Sequence, residues 1–278
     1  MSTQNALLTI LTEKINNDTL VLPTLPAIAL KVRKAADDPE INLNAMSDVI
    51  SQDPSLSARM IKISNSAYMG RTVKVSSVSQ AVTRIGLRQI KNIATALAME
   101  QLFVSKNDVV AEYLKREWEK TVDIAANTMA ALQMYTQRTK KRELQLDSAT
   151  LAALVSKIGV LPILTEAERH AEVFANPTFL EDAIDKMSGK IGAAIMDAWG
   201  FSTDFSSVAA SWKDLSIIPA NLTYLDFVRV GASVSGQMES QKDAVFNLAL
   251  QRGVVADVKE LDSDEFKDMR DQAKVIFS

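Results

Sequence analysis

The chain is predicted to be all-α, and three observations carry that prediction. Only 9 glycines and 7 prolines punctuate its 278 residues. The segments between them repeat apolar residues at spacings of three and four, as buried helix faces do. Several helix starts are also marked by capping chemistry. With 47% hydrophobic residues, the chain can bury a core large enough for one large domain or two smaller ones.

In "SQDPSLSARMIKIS", Asp53 is a good N-cap and Pro54 fits the first helical position, while Leu56, Met60 and Ile63 share a face. A helix is therefore expected over 54–64. In the next stretch Ser76 or Ser77 caps a helix whose Val78, Ala81, Val82 and Ile85 align, and Gly86 ends it in a left-handed turn. A helix over 87–103 follows. The polar "SKNDV" at 105–109 then precedes a long helical segment, 109–138. That polar stretch is the expected boundary between an N-terminal subdomain, 1–106, and a second one, 107–278. Further helices are expected near 147–159, 178–187, 189–199, 203–213, 219–238 and 242–252, with a last one from about 263.

Zero cysteines exclude disulfides, thiolate catalysis and sulfur-ligated metals, as suits a reducing compartment. No signal peptide or membrane span is expected from the sequence, so the location expected is cytoplasmic. Thirty-one basic and 34 acidic side chains give a net charge of −3, so no broad field attracting nucleic acid is expected. The cluster Arg138, Lys140, Lys141 and Arg142 reads as a solvated turn, with anion contact as the alternative.

Enzymatic signatures are sparse. Ser156 and Lys157 lie inside the apolar "LAALVSKIGVLPIL". Neighbours at i and i+1 on a helix point about 100° apart, so they do not form a nucleophile–base dyad there. A Ser-His-acid triad would need His170, the single histidine, which sits in "LTEAERHAEVF" on what reads as a charged, exposed helix. Neither phosphate-cradling glycine pattern occurs. The acidic residues show no spacing that singles out a catalytic pair.

Two stretches carry a family pattern. "LPTLPAIALKVRKAADDPEINLNAMSDVISQDPSLSARMIKISNSAYMG", 22–70, has a Leu-Pro opening (Leu25, Pro26), an acidic-Pro turn (Asp38, Pro39) and the run Gln52 to Pro54. It closes on Asn65 to Tyr68 with Gly70. "VSSVSQAVTRIGLRQIKNIATALAM" then places Ser77, Ala81 and Gly86 in register. Together these closely resemble the N-terminal signature of the HDOD domain family.

The resemblance implies an HD-like multi-helix fold in which an N-terminal helical bundle packs on a degenerate HD-type subdomain. It also implies kinship with the HD superfamily of metal-dependent phosphohydrolases. There a His-Asp pair in a stretch like "LLHDIGK" binds metal. Set against "LVSKIGV", that pair falls on Ser156 and Lys157, while Ile158 and Gly159 keep the register. "WEKT" resembles "W-x-H-S" and puts Lys120 in the first histidine slot. "SGKIGAAIMDAWGF" puts Ser188 in another, and "VAASWKD" puts Ser211 and Trp212 where a His-His pair lies. The last ligand region offers Gly231, Ala232 and Ser233. Serine, lysine and tryptophan are not metal donors at neutral pH, so no metal and no cofactor are expected.

Two uses of the vacated positions stay open. Lys120 and Lys157 with Ser156 and Ser188 could converge on a phosphate or carboxylate. Alternatively, the lysine stems cover apolar surface with their ammonium groups in water. Among the signature residues, capping and turn chemistry accounts for Asp53 and Gly70. Arg59, Asn65, Ser66 and Tyr68 serve either the junction between subdomains or direct contact with a partner. The resemblance implies a bacterial signalling or regulatory role as an interaction module; with the metal ligands missing, a stand-alone, non-catalytic module that binds another protein is expected, and the charge and hydropathy lead to no expectation of nucleic acid or membrane. The alternatives are a divergent metal-dependent phosphohydrolase acting on a nucleotide or cyclic dinucleotide, and a sensor of a small anion or nucleotide in the vacated pocket.

Overall fold

The computed structural model describes residues 6–66, 69, 73–170 and 177–277, and every regular element among them is helical. The helices are α1 (Ala6–Asn16), α2 (Ala27–Ala36), α3 (Leu43–Ser51), α4 (Pro54–Ser64), α5 (Val78–Ile85) and α6 (Leu87–Ala98), followed by α7 (Asp108–Thr139) and α8 (Leu146–Val155). After these come α9 (Val160–Glu168), α10 (Pro177–Ala198), α11 (Thr203–Ser211), α12 (Tyr224–Val234), α13 (Lys242–Gln251) and α14 (Asp264–Lys274).

The starts follow the capping chemistry. Asp53 accepts from the Leu56 N–H at 2.8 Å with Pro54 in the first helical position. Ser77, not Ser76, accepts from Gln80 N–H at 3.2 Å. Asn107 takes two N–H groups at the head of α7, and a Thr223–Asp226 capping box opens α12. Each satisfies backbone donors that have no partner within the helix.

Several boundaries differ from expectation. Residues 178–187 and 189–199 form one helix, α10, because Gly189 is there to let α11 approach rather than to break the chain. A Cβ on Gly189 would stand 2.5 Å from the Ala210 carbonyl oxygen. The segment expected over 147–159 is helical only to Val155, and 156–159 form a turn before α9. The helix expected from 219 begins at Tyr224, where its capping box sits, and the one expected to 103 passes at Met99 into a short 3-10 turn. Gly86 does take a positive φ, 82°, but its ψ of 150° is extended, so it redirects the chain straight into α6.

Within Leu146–Glu168 an 18-residue window of mean hydropathy 1.6 meets the length and composition of a membrane span, contrary to expectation. That window is 89% buried and forms the centre of the core. The helix carrying Glu166 is likewise not an exposed one. Glu166 is only 2% exposed and pairs with Lys14 at 2.7 Å and Arg169 at 2.8 Å. Arg138 is no solvated turn residue either, since it donates to the Gly253 and Val254 carbonyls at 2.8 and 2.9 Å.

The 32-residue α7 is the spine, packed by α8, α12 and α14. One continuous apolar cluster runs from Leu7 to Phe277, drawing on both sides of position 106. Packing also crosses that position at both ends of the chain. Helix α1 lies on α9 and α10, and the 3-10 turn Val275–Phe277 lies on α4. Trp199 donates its ring N–H to the Pro23 carbonyl at 2.9 Å, and the Arg33 guanidinium stands 4.0 Å from the Phe201 ring centre.

Gly159 sits where the 156–159 turn meets α10. A Cβ there would lie 1.9 Å from the Ser188 carbonyl oxygen and 2.7 Å from the Gly192 nitrogen, both backbone atoms that cannot rotate away. Gly159→Ala is therefore expected to destabilise the fold by at least the ~1–3 kcal/mol of an over-packed site. Urea unfolding measures it, and an unchanged midpoint would mean that this turn has room to move.

Candidate functional site

The positions that resemble degenerate metal ligands do not all meet. Lys120 from α7, Lys157 from the 156–159 turn, Ser188 from α10 and Trp212 at the end of α11 line one cavity of about 270 Å³. Ser156 and Ser211 do not line it. Ser156 is buried and donates to the Ala153 carbonyl at 2.7 Å, closing the end of α8. The backbone of Ser211 instead serves the buried Arg229, 1% exposed, whose guanidinium donates to the carbonyls of Ser211, Trp212 and Asp214. Arg229 thus caps α11 and holds Trp212 and Lys213 at the cavity wall. Ser233 is fully buried where α12 crosses α7, a contact so close that a Cβ on Gly231 would lie 2.3 Å from the Thr128 hydroxyl.

Residues that the sequence did not single out complete the site. Glu117, one turn before Lys120 on α7, is 5% exposed, and Lys157 is 7% exposed. The Lys157 ammonium pairs with Glu117 Oε2 and donates to Gln237 Oε1 at 3.3 Å. Lys120 donates to Glu117 Oε1 at 2.8 Å while remaining 46% exposed. Of the two open uses of the lysines, an ammonium group kept in water describes the half-exposed Lys120 but not Lys157. The turn at 156–159 aims Lys157 inward, and Glu117 satisfies its charge there. The pairing could have been sought in the sequence from the i, i+3 spacing of Glu117 and Lys120. Nothing local points to Gln237, which lies just past α12.

Burial pushes the Glu117 carboxyl up, but the Lys157 ammonium and the Lys120 hydrogen bond outweigh it and hold the carboxyl below the usual carboxylate range. Burial pulls Lys157 below the usual lysine value; Glu117 opposes this, while Lys120 and Lys213 add to the fall. The group at the centre of the site is thus a carboxylate clamped between two cations.

That donor set does not fit a divalent metal. The cation position suggested by the family pattern carries an ammonium, and among the described residues no three His, Cys, Asp or Glu side chains are grouped to ligate an ion.

The signature residues of the N-terminal half have structural partners. Asn65 caps the end of α4, donates to the Val75 carbonyl and accepts from the Val75 N–H, each at 2.8 Å. Both bonds join α4 to Val75 within the N-terminal half and do not bridge the two halves. Arg59 donates to the Leu97 carbonyl at 3.0 Å and pairs with Glu100, and Ser66 donates to the Ile63 carbonyl at 2.6 Å. Tyr68 and Gly70 lie outside the described residues.

Lys157→Met strands a buried carboxylate, so it is expected to destabilise the protein at pH 7 by about 3–5 kcal/mol. The pH dependence should change sign as well. In the native chain Glu117 contributes stability that is present above its unfolded pKa and is lost as pH falls through its lower folded one. In Lys157→Met, burial dominates and raises the carboxyl, so the variant should recover part of its deficit as pH is lowered from 7 to 5. Denaturant titration at the two pH values checks this, with Glu117→Gln/Lys157→Met expected to lie closer to the native stability than Lys157→Met.

The HDOD domain model matches residues 22–215. A crystal structure from Shewanella amazonensis SB2B, provisionally named a metal-dependent phosphohydrolase, is 38% identical, covers 100% of both chains and superposes with a TM-score of 0.94. A second protein from that organism, provisionally named a phosphohydrolase, is 18% identical over 99% of this chain and 98% of its own, with a TM-score of 0.62. An HDOD domain protein of unknown function from Geobacter sulfurreducens is 18% identical over 96% of this chain and 88% of its own, at 0.57. These last two share the fold. An uncharacterized protein of Treponema pallidum (strain Nichols) is 31% identical over 87 residues, and the matched part spans 17% of that relative's length. With the signature in register, the helical architecture as expected and the family model matched over most of its length, the chain belongs to the HDOD domain family.

Proposed function

We propose that the protein is a non-catalytic regulatory module of bacterial signalling that acts in the cytoplasm by binding another protein. The observation that carries the reading is the Lys157 ammonium, buried against Glu117 and Gln237 at a position where metal-dependent relatives of the fold would place a ligand. A buried lysine in that slot repels a divalent cation, and its partner carboxylate is already committed. Without a metal to polarise a phosphoryl group or activate water, the usual hydrolytic chemistry of such a site has no agent. Fold kinship is weak support for an activity when the site residues differ.

The competing reading, a metal-dependent phosphohydrolase, is favoured by the name given to the 38% identical Shewanella relative. The two separate cleanly by experiment. Purified protein is expected to carry less than about 0.1 equivalent of transition metal by elemental analysis and to show no phosphodiesterase turnover with added Mn²⁺ or Fe²⁺. Stoichiometric metal, with turnover abolished by a chelator, would overturn the non-catalytic reading.

A further inference from the structure

The 270 Å³ cavity beside Lys157 is smaller than the roughly 300–1,000 Å³ of pockets that take drug-sized or nucleotide-sized ligands. Its charges are arranged with unusual balance. On the α7 side one carboxylate, Glu117, faces two ammonium groups, Lys157 and Lys120, which leaves one positive charge in excess. On the α10 side Asp185 is matched by Lys213, while the neighbouring cavity residue Glu181, one turn earlier on the same helix face, adds a second carboxylate. The excess cation is on one wall and the additional anion on another.

A simple anion would satisfy Lys120 but meet the carboxylates of α10, and a simple cation would meet the reverse problem. A ligand carrying one acid group and one ammonium group satisfies both walls and brings no net charge into a half-enclosed site. We infer that this cavity binds a small zwitterion of amino-acid size, its acid group on Lys120 of α7 and its ammonium group on Glu181 of α10. The inference rests on the non-catalytic reading of the same cavity and gives that module an input.

Calorimetric titration of the full chain with the common L-α-amino acids and O-phosphoethanolamine tests it, against acetate, inorganic phosphate and ethylammonium as half-ligand controls. At least one zwitterion is expected to bind saturably and at least about tenfold more tightly than any control, a difference of about 1.4 kcal/mol. Lys120→Met and Glu181→Gln should each weaken that binding by about tenfold or more. Glu181→Gln alters an exposed side chain and should leave the melting temperature of the ligand-free protein within a degree or two, whereas Lys120→Met also removes a hydrogen bond from the buried Glu117, so its binding is measured well below its own melting temperature. Saturable binding of phosphate as tight as that of any zwitterion, indifference to Glu181→Gln, or no binding across the panel would each overturn the inference. None of these outcomes bears on metal content or turnover, so failure here is distinct from failure of the non-catalytic reading.

Discussion

A lysine and a glutamate, both less than a tenth exposed, sit against each other at the meeting point of α7 and the turn between α8 and α9. Removing either from water is costly, and only mutual neutralisation with good hydrogen bonding makes the pair tolerable. Much of the local geometry follows from that requirement. The 156–159 turn must bring Lys157 inward, α7 must present Glu117 at the same height, and the residues after α12 must bring Gln237 within reach of the ammonium. The pair therefore fixes how three parts of the chain are registered, and each of them also forms part of the cavity wall.

Close backbone approach does the complementary work. Gly159 and Gly189 admit carbonyl oxygens of neighbouring helices into space a methyl group would fill, and Gly231 does the same between α12 and α7. Such contacts have little freedom to slide. Arg229 adds a polar version of the same restraint, holding the C-terminal carbonyls of α11 from within the core. The cavity is consequently framed by closely packed helices, which set the spacing of its lining residues on α7, α10 and α11.

Within the family fold, the residues that pack the site and the residues that face its cavity are distinct sets. Ile158 and Gly159 serve packing, and Trp199 and Gly200 make the turn after α10, where the Trp199 ring N–H donates to the Pro23 carbonyl. Packing residues and ligand residues answer to different physical demands, so one set can be kept as the other changes. The interleaving of the chain ends, with α1 on the second half and Val275–Phe277 on the first, joins the whole into a single core.

Local chemistry alone determined much of this. Asp53 with Pro54, Ser77 and Asn107 head helices because their side chains satisfy N–H groups within three residues, an interaction that needs no distant partner. The helical class and the family pattern were legible for the same reason, as were the Lys and Ser residues in the expected ligand slots. Tertiary structure decided the rest. The expected split of 178–199 into two helices disappears once the Ala210 carbonyl is seen to need the space at Gly189, and the two open uses of Lys157 are decided only when Glu117, forty residues earlier, is seen to meet it. Whether a charge is solvated or buried, and which four of six candidate residues share a cavity, depends on packing between segments far apart in the chain, and no local pattern encodes that distance.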